Sequence, residues 1–425
     1  MIRFLKLKTL VTLILIMSGQ ATLCLNANAE TQKTAPSHAA SPTIREVVYK
    51  HLSSAQTLHN NNQTQKAFET LAKLKAAKTL NSHERAMMWG QYGALYYDIN
   101  QFNNSIDSYE NLLKESRFPI TLRRKTLYTL AQLYFTVNNY KAVISRLQTL
   151  FSITKDPSEA AYALQAQAYY KLNNHQKVVD SMNTALSIID AKNTIPNEQW
   201  MVLLQSSLTE LGLEQSRVDI LKWLVRLFPK KDYMISLAGA YGEMEKPAEQ
   251  LAIMELAYKK GFLDEERLQL ALATLFFIQG APYKGAKVIQ QGMSNNLIKK
   301  SVTNYTLLSN CLQAAQEFEE ALKPLTAASQ LAEDGDIYFT LGSTYFKLGR
   351  WQDTVNTLTK GLTLEPFKNA GHAWMLLGQA HLNLHAFDLA IDSFTKARTY
   401  ADIEKLSDRW ISYANNEKSR YESLQ

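Results

Sequence analysis

A block near the C-terminus occurs twice, 36 residues apart. In the first copy Ile337, Tyr338, Leu341, Gly342 and Tyr345 are followed by Trp351, Leu358, Gly361 and Pro366. In the second, Trp374, Leu377, Gly378 and His381 are followed by Phe387, Ala390, Phe394 and Ala397. Apolar residues recur three and four apart in each half of a block, the spacing of one face of an α-helix. A self-similar period of this size marks an array of helix–turn–helix units. One unit cannot bury its own apolar face, so it must stack on neighbours, and such a stack offers an extended binding surface.

The totals agree with that reading. Sixteen glycines and ten prolines in 425 residues are too few for a turn-rich β protein, and an apolar fraction of 46% is ordinary for a folded chain. The net charge of +7 overstates how basic the working protein is. Arg3, Lys6 and Lys8 precede Ala29 and no acid does, so losing that stretch lowers the charge to +4. Spread over the remaining chain, that does not mark a nucleic-acid binder.

Residues 1–29 have the build of a secretory signal peptide: a basic start, an apolar run from Leu10 to Met17, and Ala27-Asn28-Ala29 before the cut. Cleavage after Ala29 is expected, with a cut near Ala21 or an uncleaved anchor as the alternatives. Ser18, Gly19 and Gln20 argue against the anchor, because they end the run short of the ~20 residues that span a bilayer. Bulky Leu23 before Cys24 argues against lipidation. The processed chain keeps only Cys311, which sits in a helical apolar pattern and reads as a buried, inert thiol. Residues 30–43, with Pro36 and Pro42, read as a flexible leader.

From Ile44 onward the chain resembles the tetratricopeptide repeat family. Trp89, Tyr92, Gly93, Tyr96, Phe102 and Tyr109 fit one copy, and Leu127, Leu130, Ala131, Tyr134, Tyr140 and Leu147 the next. Tyr162, Ala166 and Tyr169 continue the series, and Trp200, Leu203, Leu221 and Pro229 mark a weaker copy. Leu237 and Tyr241, Leu272 and Phe276, and Tyr305 and Leu308 lead to the two strong copies carrying Leu341, Gly342 and Tyr345, then Trp374, Leu377, Gly378 and Ala390. A half-copy around Ala67, Phe68, Leu71 and Leu74 opens the array. The resemblance implies an all-α right-handed superhelix of about ten repeats over 44–404, with 405–425 as a C-terminal capping helix. Small residues at repeat positions 8, 20 and 27 let the helices approach, and aromatics at 11 and 24 fill the gaps. Pro366 and other prolines fall near repeat ends, and Pro247 and Pro282 at position 17, the start of a second helix. Pro324 lies inside a second helix, where it should kink the chain.

Five repeats carry a doubled aromatic: Tyr96-Tyr97, Tyr134-Phe135, Tyr169-Tyr170, Phe276-Phe277 and Tyr345-Phe346. By the resemblance, the second ring stands at position 12, facing a concave groove. Tyr97, Phe135, Tyr170, Phe277 and Phe346 then either line a groove for an apolar or extended peptide or pack on the adjoining repeat's helix. Gln132, Gln167, Asn310 and Gln379 at position 9, with Lys171 and Lys347 at 13, are the accompanying polar candidates. The family's lysine clamp for a terminal carboxylate is not matched, since position 5 reads Gly90, Tyr128, Ala163, Met201 and so on without a lysine. Lysine pairs at 230–231, 259–260 and 299–300 form either a basic ridge or ordinary caps on helix C-termini. His381 and His385 have metal-ligand spacing without a third ligand, and His381 occupies a core position. No phosphate-loop, dinucleotide, nucleophile-elbow or paired-cysteine motif occurs. No catalytic set, metal or cofactor is expected.

The function this implies is a non-enzymatic periplasmic scaffold that binds a protein or peptide partner, with membrane association only through that partner. Long exported chains of this build resemble the accessory component of TonB-type energy-transducing systems. The alternative is an adaptor for assembly of outer-membrane proteins, peptidoglycan or exopolysaccharide.

Overall fold

The structure, a computed structural model, describes residues 43–423. The expected signal peptide and, apart from Thr43, the leader lie outside the described residues. Among the described residues there are twenty-one α-helices and no strand. In chain order they are α1 (Glu46–Asn60), α2 (Thr64–Ala76), α3 (Ser82–Asp98), α4 (Phe102–Lys114), α5 (Ile120–Thr136), α6 (Tyr140–Ser152) and α7 (Glu159–Lys171). Then come α8 (His175–Ala191), α9 (Glu198–Glu210), α10 (Glu214–Leu227), α11 (Lys231–Glu243), α12 (Pro247–Lys259), α13 (Glu266–Ile278) and α14 (Pro282–Ser294). The last are α15 (Val302–Ala314), α16 (Phe318–Leu331), α17 (Asp336–Lys347), α18 (Trp351–Gly361), α19 (Ala370–Asn383), α20 (Phe387–Ala397) and α21 (Glu404–Glu422). The fold class is an all-α tetratricopeptide solenoid: ten helix pairs followed by a single helix.

The helices fall into two compact units. The first holds the described residues through Tyr92 together with Asn111–Ile120. Here α1 packs on α2, burying Val48, Leu52 and Ala55 of one and Ala67, Leu71 and Leu74 of the other. The array therefore opens with a complete helix pair, not the half-copy expected. Its first helix carries no large aromatic at the repeat's landmark positions, so it is silent to a motif reading. Glu84, fully buried, takes the Arg45 guanidinium through both carboxylate oxygens at 2.7 and 2.6 Å. Those charge-assisted bonds hold its carboxyl down at about 2.

The second unit holds Gly93–Glu110 and the chain from Thr121 on. Its core passes from repeat to repeat: one apolar cluster runs from Met234 through Leu272, Ile289 and Leu308 to Leu341. Three local rules build each repeat. The first is the size match between positions 8 and 24. A Cβ added to Gly93 would lie 2.7 Å from the Tyr109 ring, one on Gly342 2.6 Å from Leu358, and one on Gly378 2.5 Å from Phe394. The second concerns position 20, where the helices touch: Ser105 Oγ donates to the Gly93 carbonyl at 2.7 Å, and a Cβ on Gly285 would meet the Ala273 carbonyl at 2.7 Å.

The third rule is the turn. In every one of the ten pairs the residue at position 15 has left-handed backbone: Asn62, Asn100, Asn138, Asn173, Gly212, Glu245, Gly280, Gln316, Gly349 and His385. The next amide then bonds back to the carbonyl five residues earlier, from Gln63 to Leu58 through Ala386 to His381, at 2.8–3.0 Å. This stop satisfies carbonyls that the helix end would leave open, and it tolerates glycine and asparagine best. Pro247 and Pro282 begin α12 and α14, as expected. Pro324 is buried within α16, which continues to Leu331.

Repeat junctions are tied by charge. Lys192 pairs with Glu159 at 2.6 Å, Lys230 with Glu198 at 2.5 Å, and Lys231 with Asp264 and Glu265. Lys259 pairs with Glu255 at 3.0 Å within α12 itself. Three of the six lysines in the supposed basic ridge are thus paired with acids of their own unit, which offsets half of its charge.

Candidate functional site

All five position-12 rings lie in the second unit, and four share one arrangement. Each meets the ring five residues later, the first residue of its own repeat's second helix. Tyr97 meets Phe102 at 5.9 Å, Phe135 meets Tyr140 at 5.4 Å, Tyr170 meets His175 at 5.6 Å, and Phe346 meets Trp351 at 4.8 Å between centroids. The last three are edge-to-face, the favoured geometry for aromatic quadrupoles. The packing partner is therefore inside the repeat rather than in the adjoining one, because the tight turn brings positions 12 and 17 opposite each other. Tyr170 alone also reaches onward, its hydroxyl 3.2 Å from Ser206 Oγ in α9.

These rings keep an open side. Tyr97 is 52% exposed, and Phe135, Tyr170 and Phe346 are half-buried. Phe277 has Pro282 at its position 17 in place of a ring, and it is 40% exposed. Of the polar candidates, Gln132, Lys171 and Asn310 are exposed, and Gln167 and Gln379 half-buried. Lys347 is exposed but lies over the Phe318 ring of the preceding repeat at 5.2 Å.

The remaining predicted landmarks are packing residues. Leu130, Leu341, Leu377 and Ala390 are buried, and Tyr169 packs on the α7–α8 core. Trp89 tilts against Tyr92 at 5.8 Å in the first unit. Tyr134 donates its hydroxyl to Glu110 at 2.8 Å. Arg350 lies over Tyr345 at 4.7 Å, and Lys396 over Trp374 at 4.7 Å. The Pro366 carbonyl accepts from the Gly335 amide at 3.2 Å. Tyr96 is half-buried in the first helix of its repeat.

Two of the candidates, Phe346 and Gln379, come together in an open pocket of about 1000 Å³. Leu382, Asn383, His385 and Phe387 complete its wall on α19, its turn and α20. The opposite wall is α21, through Leu406, Arg409, Trp410, Tyr413 and Glu417. These α21 residues recur at three- and four-residue spacing on one helix face, whereas Ser407 and Ala414 on another face are buried against the last repeat. A polar capping helix was the expectation, and this apolar stripe was missed. Its signal is present in the sequence: Leu406, Trp410, Tyr413 and Tyr421 stand at helical spacing among charged residues.

The histidine pair separates. His381 is buried in the last repeat, where desolvation pushes its pKa down. His385 occupies the left-handed turn position and stacks on Tyr421 at 5.2 Å, planes 17° apart. Among the described residues no group of three or more histidine, cysteine or acidic side chains gathers around a metal-sized space. Cys311 is fully buried, and desolvation pushes its thiol up to about 11, so it is not a thiolate nucleophile at neutral pH. Among the described residues no helix is long and apolar enough to cross a membrane.

No family model matches the chain, and no curated protein matches it. Among solved structures, the crystal structure of MamA is similar over 42% of this chain and 92% of that one, at 16% identity and a TM-score of 0.35. YrrB, described as a TPR protein with an unusual peptide-binding site, is similar over 43% and 89%, at 11% identity and 0.35. A tetratricopeptide repeat protein from Parabacteroides merdae covers 60% of this chain and 98% of its own, at 13% identity and 0.30. These likenesses are of fold alone.

Proposed function

We propose that this chain is a non-enzymatic interaction scaffold that holds a protein or peptide segment along the first helices of its repeats. The observation that carries this reading is the set of part-exposed rings at one repeat position, Tyr97, Phe135, Tyr170, Phe277 and Phe346, accompanied by Gln132, Gln167, Lys171 and Asn310. Rigid aromatic rings supply contact area at little entropic cost, and amide side chains satisfy a bound main chain. Within the second unit the buried groups with shifted pKa values, Cys311 on α15 and His381 on α19, belong to different repeats.

The sequence of residues 1–29 supports export to the periplasm, and an accessory role beside a TonB-type energy-transducing system is the setting proposed. The test is crosslinking in cells followed by purification from envelope extracts, for the wild type and a Tyr97→Ala, Phe135→Ala, Phe346→Ala variant. Recovery of a TonB-system component by the wild type and its loss in a folded variant supports the reading. Recovery of envelope-assembly machinery instead moves the role to an assembly adaptor. Amino-terminal sequencing of the periplasmic fraction should begin at Glu30, and a cytoplasmic, unprocessed product refutes export.

A further inference from the structure

We infer that the pocket beside α21 is a recognition site for an extended peptide bearing one large apolar side chain and one carboxylate, with Arg409 as the carboxylate's partner. This deepens the scaffold reading above and rests on it. The terminal helix of a solenoid shields the last core and ordinarily presents a polar outer face. Here α21 does the first with Ser407, Ala414 and Lys418, whose ammonium holds Asp388 at 2.6 Å. Its pocket-facing stripe does the opposite, leaving Leu406 46% and Tyr413 50% exposed. Large apolar side chains gathered in one concavity, rather than scattered over the surface, mark a place that something covers.

The charges select what covers it. Glu417 is engaged by Arg420 at 3.7 Å. Arg409 is exposed and has no ion-pair partner among the described residues, so its guanidinium is open to an incoming acid. His385, on the opposite wall, adds no negative charge in either protonation state. An acid is the complement, and a planar guanidinium binds one through two parallel hydrogen bonds. Gln379 also lines the pocket, and its side-chain amide has no hydrogen-bond partner among the described residues. That amide can donate to and accept from a peptide main chain. The rings of Phe346, Phe387 and Trp410 form the apolar part of the walls.

The test is an array of heptapeptides on a glycine–serine background, probed with the full chain. One Leu or Phe and one Asp are walked along the peptide, each in free-acid and amidated form. Peptides carrying both features should bind, and those lacking either should not. Arg409→Gln should weaken binding at least about tenfold, as expected for loss of a charge-assisted bidentate contact. Tyr413→Ser, at an exposed position, should weaken it several-fold with an unchanged melting temperature, and Ile195→Ser, exposed in the loop between α8 and α9, should leave it unaltered. Binding that survives amidation assigns the carboxylate to an Asp or Glu side chain, and binding that requires the free acid assigns it to a peptide C-terminus. Equal binding of neutral and acidic peptides, full binding by Arg409→Gln, or no binding overturns the assignment. If the cellular partner is still captured in that event, the scaffold reading stands without this pocket. If neither peptide nor partner binds, both fall.

Discussion

Phe346 and Trp351 meet edge to face across the turn from α17 to α18, ring centroids 4.8 Å apart and planes inclined at 64°. The same pairing of positions 12 and 17 recurs in Phe135 with Tyr140 and in Tyr170 with His175. A ring so placed has two roles available, clasping its own repeat and presenting its open side to a partner. A double-mutant cycle on Phe346→Ala and Trp351→Ala should return a coupling of about 0.5–1.5 kcal/mol in thermal or urea unfolding. Phe277→Ala, with Pro282 opposite, should lower stability by less than Phe346→Ala does. Equal losses at the two sites would show that the clasp contributes nothing.

Position 8 is sized by position 24. Gly378→Ala would place a methyl 2.5 Å from the Phe394 ring and should destabilise by about 1–3 kcal/mol. Gly239, inside α11, has no atom within 4 Å of an added Cβ, so Gly239→Ala should raise stability by up to about 1 kcal/mol. Paired melting curves measure both, and opposite signs are the expected result.

The turn position responds to backbone alone. Gln316 is exposed with φ at 63°, a conformation that costs an ordinary side chain about 1–2 kcal/mol. Gln316→Gly should therefore stabilise the protein, and Gly280→Ala, at φ 74°, should destabilise it by about 1 kcal/mol. Denaturant midpoints for the two variants decide the matter.

Acid should act on the first unit through Glu84. Its carboxyl titrates at about 2 when folded and near 4.3 in an unfolded chain, so its contribution is complete above about pH 4.3 and is lost as pH falls toward 2. Hydrogen exchange at Val48 and Leu52 should accelerate over that window. Glu84→Gln should abolish the acid step, and an unchanged profile would remove Glu84 as its cause.

Cys311 should resist modification. With the side chain buried and its thiol pushed up to about 11, a thiol reagent at pH 8 should label it only on denaturation. Mass spectrometry with and without denaturant gives the answer, and rapid labelling of the folded chain would contradict the packing around α15.

Helix pairing, the number of repeats and the inward positions of Leu130, Leu341, Leu377 and Ala390 were legible in the residues themselves. They follow from apolar spacing and from side-chain size, which act over a few residues. The left-handed turns were half-legible, since four are asparagine and three glycine, but Glu245, Gln316 and His385 carry no such mark. The opening helix pair was only half seen, because α1 packs with Val48, Leu52 and Ala55 instead of large landmarks.

What the chain alone determined is its periodicity: small beside large, and an asparagine or glycine helix stop at seven of the ten positions 15. Only the tertiary structure decided which faces meet. It turned the position-12 rings onto their own repeat's second helix and spent Lys230, Lys231 and Lys259 on neighbouring acids. It also set the Leu406–Tyr413 stripe of α21 opposite Phe346 and Gln379. The Lys230 and Lys231 ion pairs and the α21 pocket join residues that are distant in sequence, and they depend on how stacked helices are offset from one another. No local pattern of side chains records that offset.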